Sequence, residues 1–369
     1  MCRFAVSYRI FAGSLAEAED RAAGMALEQT VEIPRDVVPH GYIEDEILGR
    51  VEAVAAETKG TFLARISYSP DSVGDDLPQL LNVIFGNSSI QKGLKVVGLE
   101  LGETLAERFP GARFGIAGVR QRAHRPTGGL ICPVIKPQGS DADTLAAIAY
   151  ACALAGADLI KDDHGLANQS MAPFRERCEK LSAAVARANR ETGGHCLYMP
   201  NISGHAEEAA EFARFARDAG AGGALIMPGL FGFDLTRQLA AADWFGLPLM
   251  THPTFLGSHV LSETLGFTHA MMFGVLQRLS GADISIFPNV GGRFGFSADD
   301  CRSIAEACRA PGGIGQPIFP SPGGGMSVER AGDMRAMFGD DVVYLLGGSL
   351  LRHLDCVDET LRQMRSRLA

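Results

Sequence analysis

The chain has no Cys-x-x-Cys pair; its cysteines are scattered singly at Cys2, Cys132, Cys152, Cys178, Cys196, Cys301, Cys308 and Cys356. That spacing argues against a zinc ribbon or a disulfide framework and predicts free, mostly buried thiols in a reducing compartment. No window of eighteen uninterrupted apolar residues occurs, so no transmembrane helix is expected. The start, Met1-Cys2-Arg3-Phe4, lacks a signal-peptide apolar core, and a cytoplasmic location is expected. Excess positive charge is absent too: the net charge of −9 leaves no basis for nonspecific nucleic-acid binding.

What is present is ordinary for a globular enzyme, 46% apolar and 21% charged over 369 residues, long enough for two domains. Residues 1–118 read as a ferredoxin-like α+β domain. Strands are expected at Arg3–Ala12, Thr61–Ser69, Leu80–Phe85 and Leu94–Leu101. Helices are expected at Ser14–Gln29, with Ser14 and Glu17 as a capping box, and at about Tyr42–Ala56.

From about Gly128 short apolar runs alternate with helical stretches. The expected strands are Leu130–Lys136, Ala157–Asp163, Cys196–Asn201, Gly223–Met227, Leu247–His252, Asp283–Phe287, Pro317–Pro320 and Val342–Leu346. Helices are expected between them, among them Asp141–Ala155, Met171–Glu191, Ala206–Ala219, Ala298–Arg309 and Ser349–Met364. Eight such units make residues 119–369 a (β/α)₈ TIM barrel. A doubly wound sheet would need fewer strands and a glycine fingerprint after the first.

Barrel chemistry sits at the C-terminal strand ends. The richest end is Lys161-Asp162-Asp163-His164-Gly165. Strand alternation turns Lys161 and Asp163 to one face and Asp162 to the other. By itself this reads equally well as a solvated Lys–Asp pair or as a metal or proton-transfer site. Other ends carry Lys136-Pro137-Gln138, Asn201, Pro228, His252-Pro253 and Pro288-Asn289. The last two strands end in Gly323-Gly324-Gly325 and Gly347-Gly348, turns whose amides suit a phosphate. Lysines, acids, histidines and a phosphate cradle on one rim describe enolisation of a phosphorylated sugar, with Lys136 or Lys161 as base and a metal polarising the carbonyl.

These motifs together resemble the ribulose-bisphosphate carboxylase (Rubisco) superfamily over nearly the whole chain. Ile135-Lys136-Pro137 is similar to its first-strand motif with the catalytic lysine, and Gly156–Asp163 to its second-strand motif. The resemblance implies that Lys161 is carbamylated by CO₂ and binds Mg²⁺ with Asp163 and His164. It also implies a homodimer with shared sites, in which Glu57 and Asn82 of the small domain complete a neighbour's centre and Thr61 helps bind its phosphate. His252 matches a fifth-strand histidine, and Gly324, Gly347 and Gly348 match glycines that hold one phosphate.

In its departures the chain resembles the Rubisco-like, non-carboxylating branch. Gln138 stands for the second lysine of the first-strand motif, and His164 for a glutamate ligand. Only Arg293 is offered where a loop lysine positions CO₂. Pro253, Phe287 and Pro322 stand for the Arg, His and Ser that grip a second phosphate. The charge-assisted bonds for that phosphate are therefore missing, and the expected substrate has one phosphate and an apolar far end. Imidazole suits Mg²⁺ poorly, leaving either Mg²⁺ held by Lys161 and Asp163 or a softer ion such as Mn²⁺. The leading expectation is isomerisation of 5-methylthioribulose 1-phosphate, related to methionine salvage. The alternatives are a 2,3-diketo-5-methylthiopentyl 1-phosphate enolase, a decarboxylase of 3-oxo-isoapionate 4-phosphate, or an inactive scaffold.

Overall fold

Strand β1 (Phe4–Phe11) buries Phe4, Val6, Tyr8 and Ile10, the period-two pattern of a half-buried strand. In the computed structural model, which describes residues 2–205, 207–312, 314–351 and 356–368, it lies at the centre of the first sheet. Helix α1 (Leu15–Glu28) buries Ala18, Ala22, Met25 and Ala26 against that sheet. Ser14 caps it, accepting the Glu17 amide at 3.2 Å. The Glu17 carboxylate accepts from Gly13 N–H at 2.8 Å, so the expected capping box is displaced by one residue.

Two small-domain expectations fail. The helix expected over Tyr42–Ala56 is a single π-type turn, Ile43–Ile47, followed by edge strand β2 (Arg50–Thr58), antiparallel to β3 (Thr61–Tyr68). The strand expected at Leu80–Phe85 is helix α2 (Leu77–Phe85), which buries Leu77, Leu80, Val83 and Ile84 and is capped by Asp76. With β4 (Leu94–Glu100) the order is βαββαβ, and the sheet runs β4-β1-β3-β2.

Eight parallel strands follow: β5 (Leu130–Ile135), β6 (Leu159–Asp162), β7 (Leu197–Met199), β8 (Ala224–Ile226), β9 (Leu249–Thr251), β11 (Ile284–Pro288), β12 (Phe319–Gly323) and β13 (Val343–Leu346). They form two four-stranded arcs, β13-β5-β6-β7 and β12-β11-β9-β8. An Asn201–Leu225 bridge joins the arcs on one side. Ser321 Oγ donating to Val343 O at 2.9 Å joins them on the other. The chain is thus a small α+β domain followed by a (β/α)₈ barrel.

The barrel interior is filled by Leu130, Cys132, Leu159, Met199, Leu225, Met250, Ile284, Phe319 and Val343. Helix Gly115–Arg122 plugs its N-terminal mouth through Val119, and residue 118 falls inside this helix. A two-residue strand, β10 (Gly266–Phe267), leaves the barrel and pairs with β4. The expected helix Ser349–Met364 includes residues 352–355, which lie outside the described residues, as does Ala206 in the expected helix Ala206–Ala219. Among the described residues no helix is long and apolar enough to cross a membrane.

Candidate active site

β6 sets the site. Leu159 fills the barrel interior, so alternation sends Lys161 the same way and Asp162 outward. Asp162 is fully buried among partners: Arg177 Nε at 3.0 Å, Tyr198 OH at 2.8 Å and Asn201 N–H at 3.0 Å. Arg177 also donates to the carbonyls of Ala167 and Ala172, and Asn201 to those of His164 and Leu166. This polar cluster fixes the loop that carries His164.

At the inner rim, Lys136 Nζ is 3.1 Å from Asp163 Oδ1, and His164 Nδ1 is 3.5 Å from the same oxygen. The His164 ring stacks on His252, centroids 4.4 Å apart and planes 11° from parallel. Lys161 lies fully buried below, donating to Asp162 O at 2.7 Å. Burial pushes its ammonium below the usual lysine range, opposed by Cys132 and Asp163 and aided by Lys136. Burial raises the Asp163 carboxyl, but His164, Lys136 and Lys161 outweigh it and hold the group well below the usual range. His252 is held neutral, chiefly by burial and then by the nearby charges of Lys161 and His164. The structure therefore brings Lys136, Lys161, Asp163, His164 and His252 together.

Gly324, at φ +94°, and Gly347 and Gly348 have open space where a Cβ would stand, leaving their backbone accessible. The turn after β12 does not run directly into its helix, which begins only at Ala331.

The expected apolar end needs correction. Phe287 is fully buried and packs on Phe338 at 6.1 Å, in the layer between strands and helices. Ile286 occupies the inner face instead. The Cβ position of Gly323 lies 3.2 Å from Leu345 on the inner side, so the adjacent, buried Pro322 faces outward. Both leave the substrate end because strand parity turns them away. Arg293 sits on an exposed loop with its guanidinium over Phe294. Pro253 stays on the rim.

Of the small-domain residues, Glu57 and Asn82 are exposed and Thr61 is half-buried. Glu57 pairs with Arg9 at 2.5 Å, Thr61 bonds Thr58, and the Asn82 side chain bonds Gln79. Among the described residues none of the three is hydrogen-bonded or ion-paired to the barrel rim within this chain.

A divalent ion is implied by the resemblance, and the donor set tests it. Among the described residues no three His, Cys, Asp or Glu side chains converge as a metal site, so His164 does not complete a triad of such ligands. The fit is to two hard donors: Asp163, and a carbamate oxygen if CO₂ adds to the buried Lys161 amine.

Fold and site define a TIM-barrel enzyme with a lysine-rich centre. The chain belongs to the Rubisco family: residues 115–301 match the ribulose bisphosphate carboxylase large chain, catalytic domain. It is 38% identical over 358 residues to a 5-methylthioribulose-1-phosphate isomerase of Rhodospirillum rubrum, covering 97% of this chain and 94% of that one. It is 31% identical to a 2,3-diketo-5-methylthiopentyl-1-phosphate enolase of Bacillus pumilus, covering 83% and 77%. The crystal structure of a Rubisco-like protein from Rhodopseudomonas palustris superposes with TM-score 0.86 at 35% identity, covering 100% and 98%.

The sequence left Arg177 and Tyr198 unmarked, since each reads as one more residue of an amphipathic helix or a buried strand. Thr254, whose amide donates to His252 Nδ1 at 3.2 Å, carried a signal in the His-Pro-Thr turn chemistry.

Proposed function

We infer that the protein isomerises 5-methylthioribulose 1-phosphate to a 1-methylthio-pentulose 5-phosphate by 1,3-proton transfer. The observation that carries this reading is the Lys136–Asp163 pair standing over buried Lys161 and beside neutral His252. The relative's name supplies the substrate class. Lys136 is the base: it takes the proton from the carbon next to the carbonyl, and a proton returns to the former carbonyl carbon. Repetition moves the carbonyl along the chain toward the sulfur. Asp163 orients Lys136, and the stacked histidines offer donors to the enediolate oxygens. Lys161, as its carbamate, and Asp163 would hold Mg²⁺, which supplies Lewis-acid polarisation of the carbonyl when bound. The backbone of Gly324, Gly347 and Gly348 takes the phosphate.

A homodimer in which Glu57, Thr61 and Asn82 reach a neighbour's rim is part of this reading. The exposure of Glu57 and Asn82 supports it, as does β2, an edge strand with almost every residue exposed.

The test is proton NMR in D₂O with the methylthio sugar, the diketo compound and the branched acid phosphate offered separately. Conversion of the first, with deuterium entering next to the carbonyl, supports the isomerase, and Lys136→Ala should abolish the exchange. Turnover of the diketo compound alone would make the protein an enolase. CO₂ release from the acid without turnover of the methylthio sugar would overturn both.

A further inference from the structure

With Phe287 and Pro322 turned into the packing layer, another surface must meet the substrate's apolar end. The structure offers one at the ends of β8 and β9. Phe255 has a 71% exposed side chain and a backbone φ of +69°. Leu256 N–H donates to Pro253 O at 3.1 Å, closing a turn in which Phe255 is the second central residue. Positive φ there favours glycine, and for a bulky residue it is a genuine outlier. Such strain persists where the surroundings enforce it and clusters at ligand sites.

The surroundings do enforce it. His252 Nδ1 meets the Thr254 amide at 3.2 Å and its hydroxyl at 2.5 Å, tying the turn to the imidazole at the centre. From the β8 side, a Cβ at Gly229 would stand 2.4 Å from Thr254 O and 3.1 Å from the Leu256 side chain, so the two loops are pressed together. The next residue, Leu230, is 51% exposed. Round the barrel, the open glycines follow β12 and β13, Lys136 and Asp163 follow β5 and β6, and Leu230 and Phe255 follow β8 and β9. A chain anchored by phosphate on the glycines and crossing the lysines runs out toward this apolar edge.

We propose that Phe255, flanked by Leu230, is the specificity-determining wall for the apolar terminus of the substrate, a thioether in the reading above, on which this inference rests. Sulfur packs well at an aromatic edge, and an exposed ring contributes little to folding, so the strained backbone serves the ligand. A hydroxyl in place of the thioether would lose its water against this surface and gain no partner.

The experiment uses the full-length enzyme with Phe255→Gly and Phe255→Leu, and two substrates: 5-methylthioribulose 1-phosphate and ribulose 1-phosphate. Phe255→Gly should raise KM for the methylthio sugar about tenfold, leave kcat within about twofold, and leave KM for ribulose 1-phosphate unchanged. Phe255→Leu should fall between. Because glycine relaxes the turn, the urea midpoint of Phe255→Gly should hold or rise, whereas a merely structural ring predicts a fall. Equal KM shifts for both sugars overturn the proposal, as does a lowered midpoint. A shift of the oligomer to smaller mass would assign the ring to a partner subunit, and also overturns it. If the wild type turns over no methylthio sugar, the isomerase reading fails separately. The wall is then decided by calorimetry with 5-methylthioribitol 1-phosphate and ribitol 1-phosphate: a roughly tenfold preference for the thioether that vanishes in Phe255→Gly supports it, and equal affinities refute it.

Discussion

Arg177→Met tests how the catalytic rim is held from outside. Arg177 and Asp162 are both fully buried, with Nε 3.0 Å from Oδ2. The guanidinium also donates to Ala167 O at 2.8 Å, Ala172 O at 2.7 Å and Leu166 O at 3.3 Å. Removing it takes the charged partner from a buried carboxylate and leaves the carbonyls of Ala167 and Ala172 without that donor, while Leu166 O keeps Asn201 Nδ2 at 2.9 Å; breaking one side of a buried pair costs about 3–5 kcal/mol. Asp162 keeps two donors, Tyr198 OH and Asn201 N–H, which places the expected loss near the lower bound, about 3 kcal/mol. Urea unfolding followed by far-UV circular dichroism would measure it. Adding Asp162→Asn should recover part of the loss, about 1–2 kcal/mol, because the stranded charge is gone. kcat should fall as well, since the same cluster anchors the His164 loop. A single-variant loss below about 1 kcal/mol, or a double variant worse than the sum of the two, would refute the assignment of this pair as the loop's anchor.

Four further outcomes are expected. If Lys161 is carbamylated, preincubation with bicarbonate and Mg²⁺ should raise activity, more so at alkaline pH where the amine is neutral; full activity in CO₂-free, metal-free buffer would count against it. Mixing Glu57→Gln with Lys136→Ala subunits should restore partial activity, and none in verified heterodimers would argue against a shared site. Burial raises the Asp283 carboxyl to about 6 from 3.8, despite amides from Leu249, Gly115 and Phe114. The folded state therefore holds a proton the unfolded chain has released, so this contribution is present at low pH and fades as pH rises from about 4 to 6, by about 3 kcal/mol; Asp283→Asn should remove that slope from urea midpoints. Gly229→Ala would press a Cβ to 2.4 Å from Thr254 O, and should cost about 1–3 kcal/mol in urea unfolding and most of the activity.

The barrel was legible because its strands are continuous apolar runs buried on both faces and punctuated by glycine, as at Leu130–Ile135 before Lys136. The alternation argument at Lys161-Asp162-Asp163 also carried, since a strand has only two faces. The small domain was less legible for identifiable reasons. β2 reads Arg-Val-Glu-Ala-Val-Ala-Ala-Glu-Thr, rich in helix formers, and as an exposed edge strand it has no burial pattern to announce itself. Leu80–Phe85 is apolar enough for a strand, and only the Asp76-Leu77-Pro78 start marks a helix. At the substrate end, Phe287 and Pro322 were chosen by matching motif positions, and a motif does not state which face of a strand a side chain takes. Phe255 had no sequence signal, because a positive φ is fixed by the packing of Gly229 and Thr254 rather than by the residue's own preference.

β10 makes the small domain and the barrel share a sheet. Gly266 and Phe267 hydrogen-bond to β4, and Lys95 Nζ on the same strand donates to Ser262 O at 2.6 Å. Phe267 meets Phe85 of α2 edge to face, with centroids 5.3 Å apart. The β9 loop therefore runs from the imidazole of His252 into another domain's backbone ladder before returning to the barrel. A swivel between domains would have to break this ladder, so adjustment to substrate falls to the loops alone. A fragment ending before the barrel would likewise leave β4 as an open edge, ready to pair with any extended chain.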